Sequence, residues 1–184
     1  LALKDEWNEP SKFFFLPTTT TEVLTALSPI IASSEPLCIA LDVETKWNRI
    51  LTCIGFSWKQ RYAISIPFVK LAPGTVSGIE SFWSPKDERF ILRTLSYIFK
   101  KSNLSIMGQN LVYDCQWLFH VLRMKPRVMF DTLIAQNLLF PGTEKDLGSL
   151  SAMYCSHHRY WKDDNKEWDL NADETTHLRY NAED

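Results

Sequence analysis

The chain has 184 residues, 45% of them hydrophobic, which suits one well-filled domain better than two very small ones. With 20 Lys and Arg against 22 Asp and Glu the net charge is −2, so nothing predicts the broad basic face that long-range duplex binding needs, and a nucleic-acid partner would bind only through a local site. Cys38, Cys53, Cys115 and Cys155 are scattered with no CxxC pair, arguing against structural zinc and for a reducing, cytoplasmic setting, and neither a signal peptide nor a membrane-spanning run of roughly 18 apolar residues is visible.

Residues 1–17 are polar and aromatic, and SKFFFLP is expected to pack against the body. TTTTEVLTALSPII predicts a helix capped by Thr, so residues 1–35 read as an N-terminal extension and helix before a core at 36–184. LCIALDV (37–43), TCIGFSW (52–58) and RYAISIPF (61–68) alternate or are β-branched, and their short connections predict an antiparallel meander. Residues 69–85 are rich in Gly, Pro and Ser and read as a loop. KDERFILRTLSYIFKK (86–101) predicts an amphipathic helix with Phe90, Leu92, Leu95, Ile98 and Phe99 near one side. LSIMGQN (104–110) predicts a strand running into the helix LVYDCQWLFHVLR, and RVMF a further strand. DTLIAQNLLFPG (131–142) reads as a helix capped by Asp131 and stopped by Pro-Gly, and DLGSLSAMYC as another. After the polar loop SHHRYWKDDNKEWDLNA, a last helix runs from about Asp173, and the chain stops inside its pattern. With no initial Met either, the sequence reads as a piece of a longer protein. Three strands followed by alternating helix and strand predict an α/β fold, a mixed sheet with helices on both faces.

Two acids, Asp42 and Glu44, fall inside the first strand and share one face, because side chains at i and i+2 point the same way. Unpaired carboxylates so close together are costly to bury. By themselves they could be solvated acids at a strand end. Asn110 and Asp114 share a helix face at the strand-to-helix junction where ligand sites of α/β sheets gather, although an N-cap and a first-turn acid would look the same. Tyr180 and Asp184 repeat the i,i+4 spacing on the last helix, where Leu178 and Ala182 can face the core.

Together, D-x-E, N-x-x-Y-D and Y-x-x-x-D, in this order and on these elements, resemble the three exonuclease motifs of the DEDD superfamily. That superfamily has the DnaQ-like, ribonuclease H-like fold. The tyrosine branch fits, because the histidine branch would carry His where Arg179 stands. GQNLVYD, DTLIAQNLLFPG, DLGSL and YAISIPF look most like the 3′→5′ proofreading domain of family A DNA polymerases, with phage members closest through YWKDDNKEW. The resemblance covers about residues 36–184.

The resemblance implies one 3′-5′ exonuclease domain, residues 1–184, covalently linked to a polymerase domain. It would hydrolyse single-stranded DNA 3′ ends to nucleoside monophosphates with two divalent cations, Mg²⁺ or Mn²⁺. By the same resemblance Asp42 would bridge both cations, Glu44 and Asp184 would hold the first, and Asp114 the second, largely through water. Tyr180 would orient the attacking water. Thr45, Gln109, Asn110 and Lys145 would meet the substrate strand. The cations would supply the positive charge that buried acids need. Two positions depart from the family pattern. Asn48 replaces an apolar wedge, for which Trp47 or Ile50 could substitute, and Lys145 beside Glu144 is the sole basic residue before DLGSL. Tyr160 and Asp164 also satisfy Y-x-x-x-D, but in a loop without helical periodicity. A ribonuclease D-like RNA exonuclease shares the three motifs, and a non-catalytic nucleic-acid-binding module is the alternative of another class.

Overall fold

Alternating side chains and short turns make the centre of the sheet, seen in a computed structural model that describes residues 12–47, 50–72, 78–155 and 174–184. In chain order the strands are β1 (Phe13–Phe15), β2 (Leu37–Lys46), β3 (Ile50–Lys59), β4 (Tyr62–Pro67), β5 (Val69–Leu71), β6 (Ile79–Ser81), β7 (Leu104–Gly108) and β8 (Val128–Asp131). The helices are α1 (Thr20–Ala32), α2 (Pro85–Phe99), α3 (Leu111–His120), α4 (Thr132–Leu139), α5 (Leu147–Tyr154) and α6 (Glu174–Glu183). The main sheet runs β1-β4-β3-β2-β7-β8. β2, β3 and β4 are antiparallel neighbours, as their short connections predicted, whereas β7 joins β2, β8 joins β7 and β1 joins β4 in parallel. This is the expected ribonuclease H-like mixed sheet.

One expectation is extended and two need correction. SKFFFLP does more than pack on the body: Phe13–Phe15 adds a sixth strand, and the Phe13 ring stacks on Tyr62 at 5.4 Å. Residues 69–85 are not all loop, because Val69–Leu71 and Ile79–Ser81 form a short antiparallel ladder.

The pleat separates two chemistries. On one side Leu41 pairs with Phe56 and Phe56 with Ile64, while Val43 pairs with Ile54 and Ile54 with Ile66. These side chains join Val23, Ala26, Leu27 and Ile30 of α1 and Ile91, Leu95, Ile98 and Phe99 of α2 in one buried core. The opposite row, Asp42, Gly55 and Ser65, lies under α6, which packs on β2, β3 and β4. One face is therefore an apolar core and the other a polar seat.

The helix ends follow from local chemistry. Thr19 and Glu22 close a capping box on α1. Pro29 inside α1 has no N–H to give the Thr25 carbonyl, and the Ser28 hydroxyl donates to that carbonyl instead at 2.8 Å. Ser84 caps α2 with Pro85 in its first turn. The α2 stripe is Ile91, Leu95, Ile98 and Phe99. Phe90 lies outside it and is 42% exposed, contrary to the expected face.

Candidate active site

Asp42 and Glu44 point from the same face of β2 toward the end of α6, where Asp184 meets them. One carboxylate oxygen from each of Asp42, Glu44 and Asp184 lies within 4.8 Å of the others. Burial, followed by the charges of Glu44, Asp114 and Asp184, pushes the Asp42 carboxyl well above its ordinary range. Three acids so placed repel one another unless a cation lies among them. The oxygen-only donor set, without His or Cys, suits a hard divalent ion.

Asp114 is held differently. The β2–β7 ladder ends at Ala40 and Met107, and beyond it that edge of β2 has no strand partner among the described residues. The Val43 N–H there donates to Asp114 Oδ1 at 2.8 Å, tying the first turn of α3 to β2. Burial raises the Asp114 carboxyl to about 7, aided by Asp131 and Asp184 and opposed by backbone hydrogen bonds from Val43 and from its own N–H.

The turn from β7 into α3 needs an unusual backbone. A Cβ on Gly108 would lie 2.8 Å from the Leu41 carbonyl oxygen, so this close crossing requires glycine. Asn110 follows in the left-handed region at φ 56° and occupies the N-cap position without a side-chain cap. The capping comes from Asp131, whose Oδ1 accepts from Asn110 N at 3.1 Å and whose Oδ2 accepts from Leu111 N at 2.8 Å. Asp131 Oδ1 also caps its own helix by accepting from Leu133 N at 2.9 Å. One buried carboxylate thus fixes the starts of both α3 and α4.

A groove of about 510 Å³ opens beside the acids, lined by Asp42, Glu44, Asp114 and Asp184 and also by Gln109, Asn110, Tyr113 and Lys145. Eight positions scattered from 42 to 184 therefore share one concavity. Thr45 sits at its edge, with its hydroxyl on the Tyr113 hydroxyl. Gln109 is internally engaged: its Nε2 donates to the Lys145 carbonyl at 2.6 Å, and its Oε1 accepts from Thr132. Trp47, at φ 54° and 56% exposed, stands at the end of β2 with Lys46 Nζ 5.2 Å from its ring.

His177 and Asn181 of α6 and Asp184 just past its end follow at i, i+4 and i+7 and all turn toward the sheet. His177 Nε2 meets the Thr52 hydroxyl at 2.8 Å, and burial lowers its pKa to about 4. Asn181 Nδ2 donates to Asp42 Oδ2 at 2.7 Å, and Asn181 Oδ1 accepts from Ser65 Oγ at 2.6 Å. Leu178 is buried as expected, while Ala182 is only half-buried. Tyr180 is half-buried, and its hydroxyl is driven far above its usual value by burial first, then by Asp184, Glu44 and Asp42.

The structure thus brings the three motifs together. Sequence reasoning missed Asn181, His177 and the second role of Asp131, at the start of α3. Asn181 carried a faint signal, three residues before Asp184 and therefore on its helix face. The rival Tyr160 and Asp164, together with Asn48, His157, His158, Trp161 and Trp168, lies outside the described residues.

An acidic cluster on one face of a ribonuclease H-like sheet, at the mouth of an open groove, defines a nuclease-like architecture. The sequence matches the 3′-5′ exonuclease family over residues 16–184, and the chain belongs to that family. No curated protein matches it. Among solved structures, the catalytic core of RRP6 from Trypanosoma brucei is similar at 16% identity and TM-score 0.66, covering 94% of this chain and 43% of that one. Escherichia coli RNase D, an exoribonuclease involved in structured RNA processing, is similar at 17% and 0.63, covering 94% and 41%. Brucella melitensis NrnC with bound Mg²⁺ is similar at 16% and 0.60, covering 95% and 75%. The chain therefore spans less than half the length of the first two, and at these identities the likeness is one of fold.

Proposed function

We propose that this domain removes nucleotides one at a time from the 3′ end of single-stranded DNA, as the proofreading part of a longer polymerase chain. The observation that carries the reading is the convergence of Asp42, Glu44 and Asp184 oxygens within 4.8 Å beside the groove. Asp42, Glu44 and Asp184 would hold one divalent cation, and Asp42 and Asp114 a second, Asp114 largely through water. Cations so held stabilise charge on the attacking and leaving oxygens of a phosphodiester. Mg²⁺ in the similarly folded NrnC supports that choice of ion. All four cysteines are free, which fits a reducing cytoplasm.

The remaining work belongs to the protein. Tyr180, with its raised pKa, stays a neutral phenol at physiological pH. It offers an O–H that orients water and does not take its proton. Asn110 and Lys145 line the path of the terminal nucleotides, Thr45 adjoins it through the Tyr113 hydroxyl, and Gln109 braces the Lys145 backbone. With a net charge of −2, affinity comes from a few end contacts.

A second reading, an RNA exonuclease, draws support from the likeness to RNase D and from NrnC bound to pGG. The test is digestion of 5′-labelled single-stranded DNA and RNA of equal sequence with Mg²⁺ or Mn²⁺. We expect shortening from the 3′ end, faster on DNA and abolished by EDTA. A marked RNA preference would select the second reading. No digestion, with melting unmoved by Mn²⁺, would leave a non-catalytic nucleic-acid-binding module.

A further inference from the structure

We infer that Asn181 is a positioning residue, which fixes the Asp42 carboxylate for cation binding and locks α6 against the sheet in the same contact. The inference rests on the reading of Asp42 as a metal ligand. Asn181 is 2% exposed and stands above a row of three residues in register on adjacent strands: Asp42, Gly55 and Ser65. Its amide spans that row, donating to Asp42 Oδ2 at 2.7 Å and accepting from Ser65 Oγ at 2.6 Å. Gly55, between them, supplies the space, because a Cβ there would fall 2.7 Å from Asn181 Oδ1.

The chemistry suits this place. A carboxylate can only accept, so the Asn181 group facing it must be the NH₂ end, and the Ser65 hydroxyl donates to the other end. A carboxylate has about four acceptor positions, and a single amide donor occupies one, leaving the others for cations. A Lys at the same point would bring a full charge that competes with the metal, whereas an amide does not. Asp184 follows α6 directly, three residues after Asn181, with its N–H still donating to the Tyr180 carbonyl at 3.1 Å, so the bond that orients Asp42 also sets the rotation that brings Asp184 to it. Partners that orient a metal ligand are typically worth about 10–100-fold in affinity or activity.

The test compares wild type, Asn181→Ala and Ser65→Ala in three measurements: metal-free melting, the Mn²⁺ concentration that half-saturates the thermal shift, and kcat and KM on single-stranded DNA. Asn181→Ala is expected to raise the Mn²⁺ midpoint about 10-fold or more and to lower kcat by a similar factor, with KM for the oligonucleotide little changed. Ser65→Ala, which frees the amide but keeps it, is expected to shift the same quantities less. A purely structural role would lower metal-free melting and leave the Mn²⁺ midpoint where it was. Midpoint and kcat within twofold of wild type in both variants would overturn the inference. A wild type that shows no Mn²⁺ shift at all would instead overturn the metal-site reading beneath it.

Discussion

Gly55 and Asn181 fit each other through a missing side chain: a Cβ on Gly55 would stand 2.7 Å from Asn181 Oδ1 and 3.1 Å from Asn181 Cγ. The amide lies flat on the bare backbone of β3, which lets it reach Asp42 on one side and Ser65 on the other. Gly55→Ala is therefore expected to destabilise the metal-free domain by about 1–3 kcal/mol, the usual range for overpacking, and to slow turnover. In an Asn181→Ala background, where the clashing atoms are gone, the same change should cost far less. A double-mutant cycle by urea denaturation measures this coupling, and simple additivity would show that the two residues do not constrain each other.

Asp42→Ala is expected to abolish digestion more completely than any other single substitution. Asp42 lies at the centre of the cluster, and its pKa is raised by burial first and then by Glu44, Asp114 and Asp184. Without metal, the variant loses one mutually repelling charge but also the acceptor of the buried Asn181 amide, so it should melt close to the wild-type temperature. With Mn²⁺, wild type should gain stability and the variant should not. Melting curves with and without metal decide both halves.

Tyr180 and Asp184 should separate orientation from metal binding. Tyr180→Phe removes one hydroxyl and leaves the acids in place, so turnover should fall about 10²–10⁴-fold while stabilisation by Mn²⁺ persists. Asp184→Ala deletes a member of the cluster and should lose both. Tyr160→Phe and Asp164→Ala should alter KM at most. Were Tyr160→Phe the crippling change and Tyr180→Phe silent, the third motif would be Tyr160 with Asp164 instead.

The meander and the flanking helices were legible because each depends on local periodicity, and the three motifs because as a set, in this order, they resemble those of a known family. What stayed hidden depends on register between distant segments. Phe13–Phe15 has no strand signal of its own beyond three aromatic residues, and it becomes a strand because the edge of β4 is open to it. Asn181 reads as a polar residue on a short helix until Gly55 and Ser65 are seen beneath it. Asp131 was read correctly as the cap of α4. Its second role, on α3, comes from β7 and β8 lying side by side, which no local pattern announces.

That double role makes Asp131 a stability test. Asp131→Ala would strip acceptors from the N–H groups of Asn110, Leu111 and Leu133, of which Leu111 is 1% exposed. A loss of about 2–4 kcal/mol is expected by urea denaturation, larger than for an ordinary single cap. Turnover should fall as well, since the start of α3 places Asp114. Asp131→Asn, which keeps one acceptor, should recover part of both. A loss under about 1 kcal/mol would mean that water replaces the carboxylate.

His177 gives the domain a pH dependence of definite sign. Its ring is buried under α6 against Thr52 and Cys53, with the charge of Lys46 also opposing its protonation, and its pKa is lowered to about 4. Unfolded, it would titrate near its ordinary value of 6.5. Between those values the unfolded chain holds more protons than the folded one, so stability is full above about 6.5 and is lost as pH falls toward 4. At about 1.4 kcal/mol per pH unit, the loss should reach about 2 kcal/mol by pH 5. Asp42 and Asp114 act oppositely in the metal-free domain: their raised pKa values mean that stability falls as pH rises, for Asp114 toward about 7. The two trends are separated by comparing wild type with His177→Gln, whose amide can still meet Thr52 but does not titrate. Both share the carboxylate trend, so the difference between their stabilities isolates the histidine. Wild type should lose ground to His177→Gln as pH drops from 7.5 to 5, and because α6 carries Tyr180 and leads directly into Asp184, its Mn²⁺ response should weaken over the same range. Parallel stability curves from pH 7.5 to 5 would show that His177 takes up its proton without leaving its place against β3.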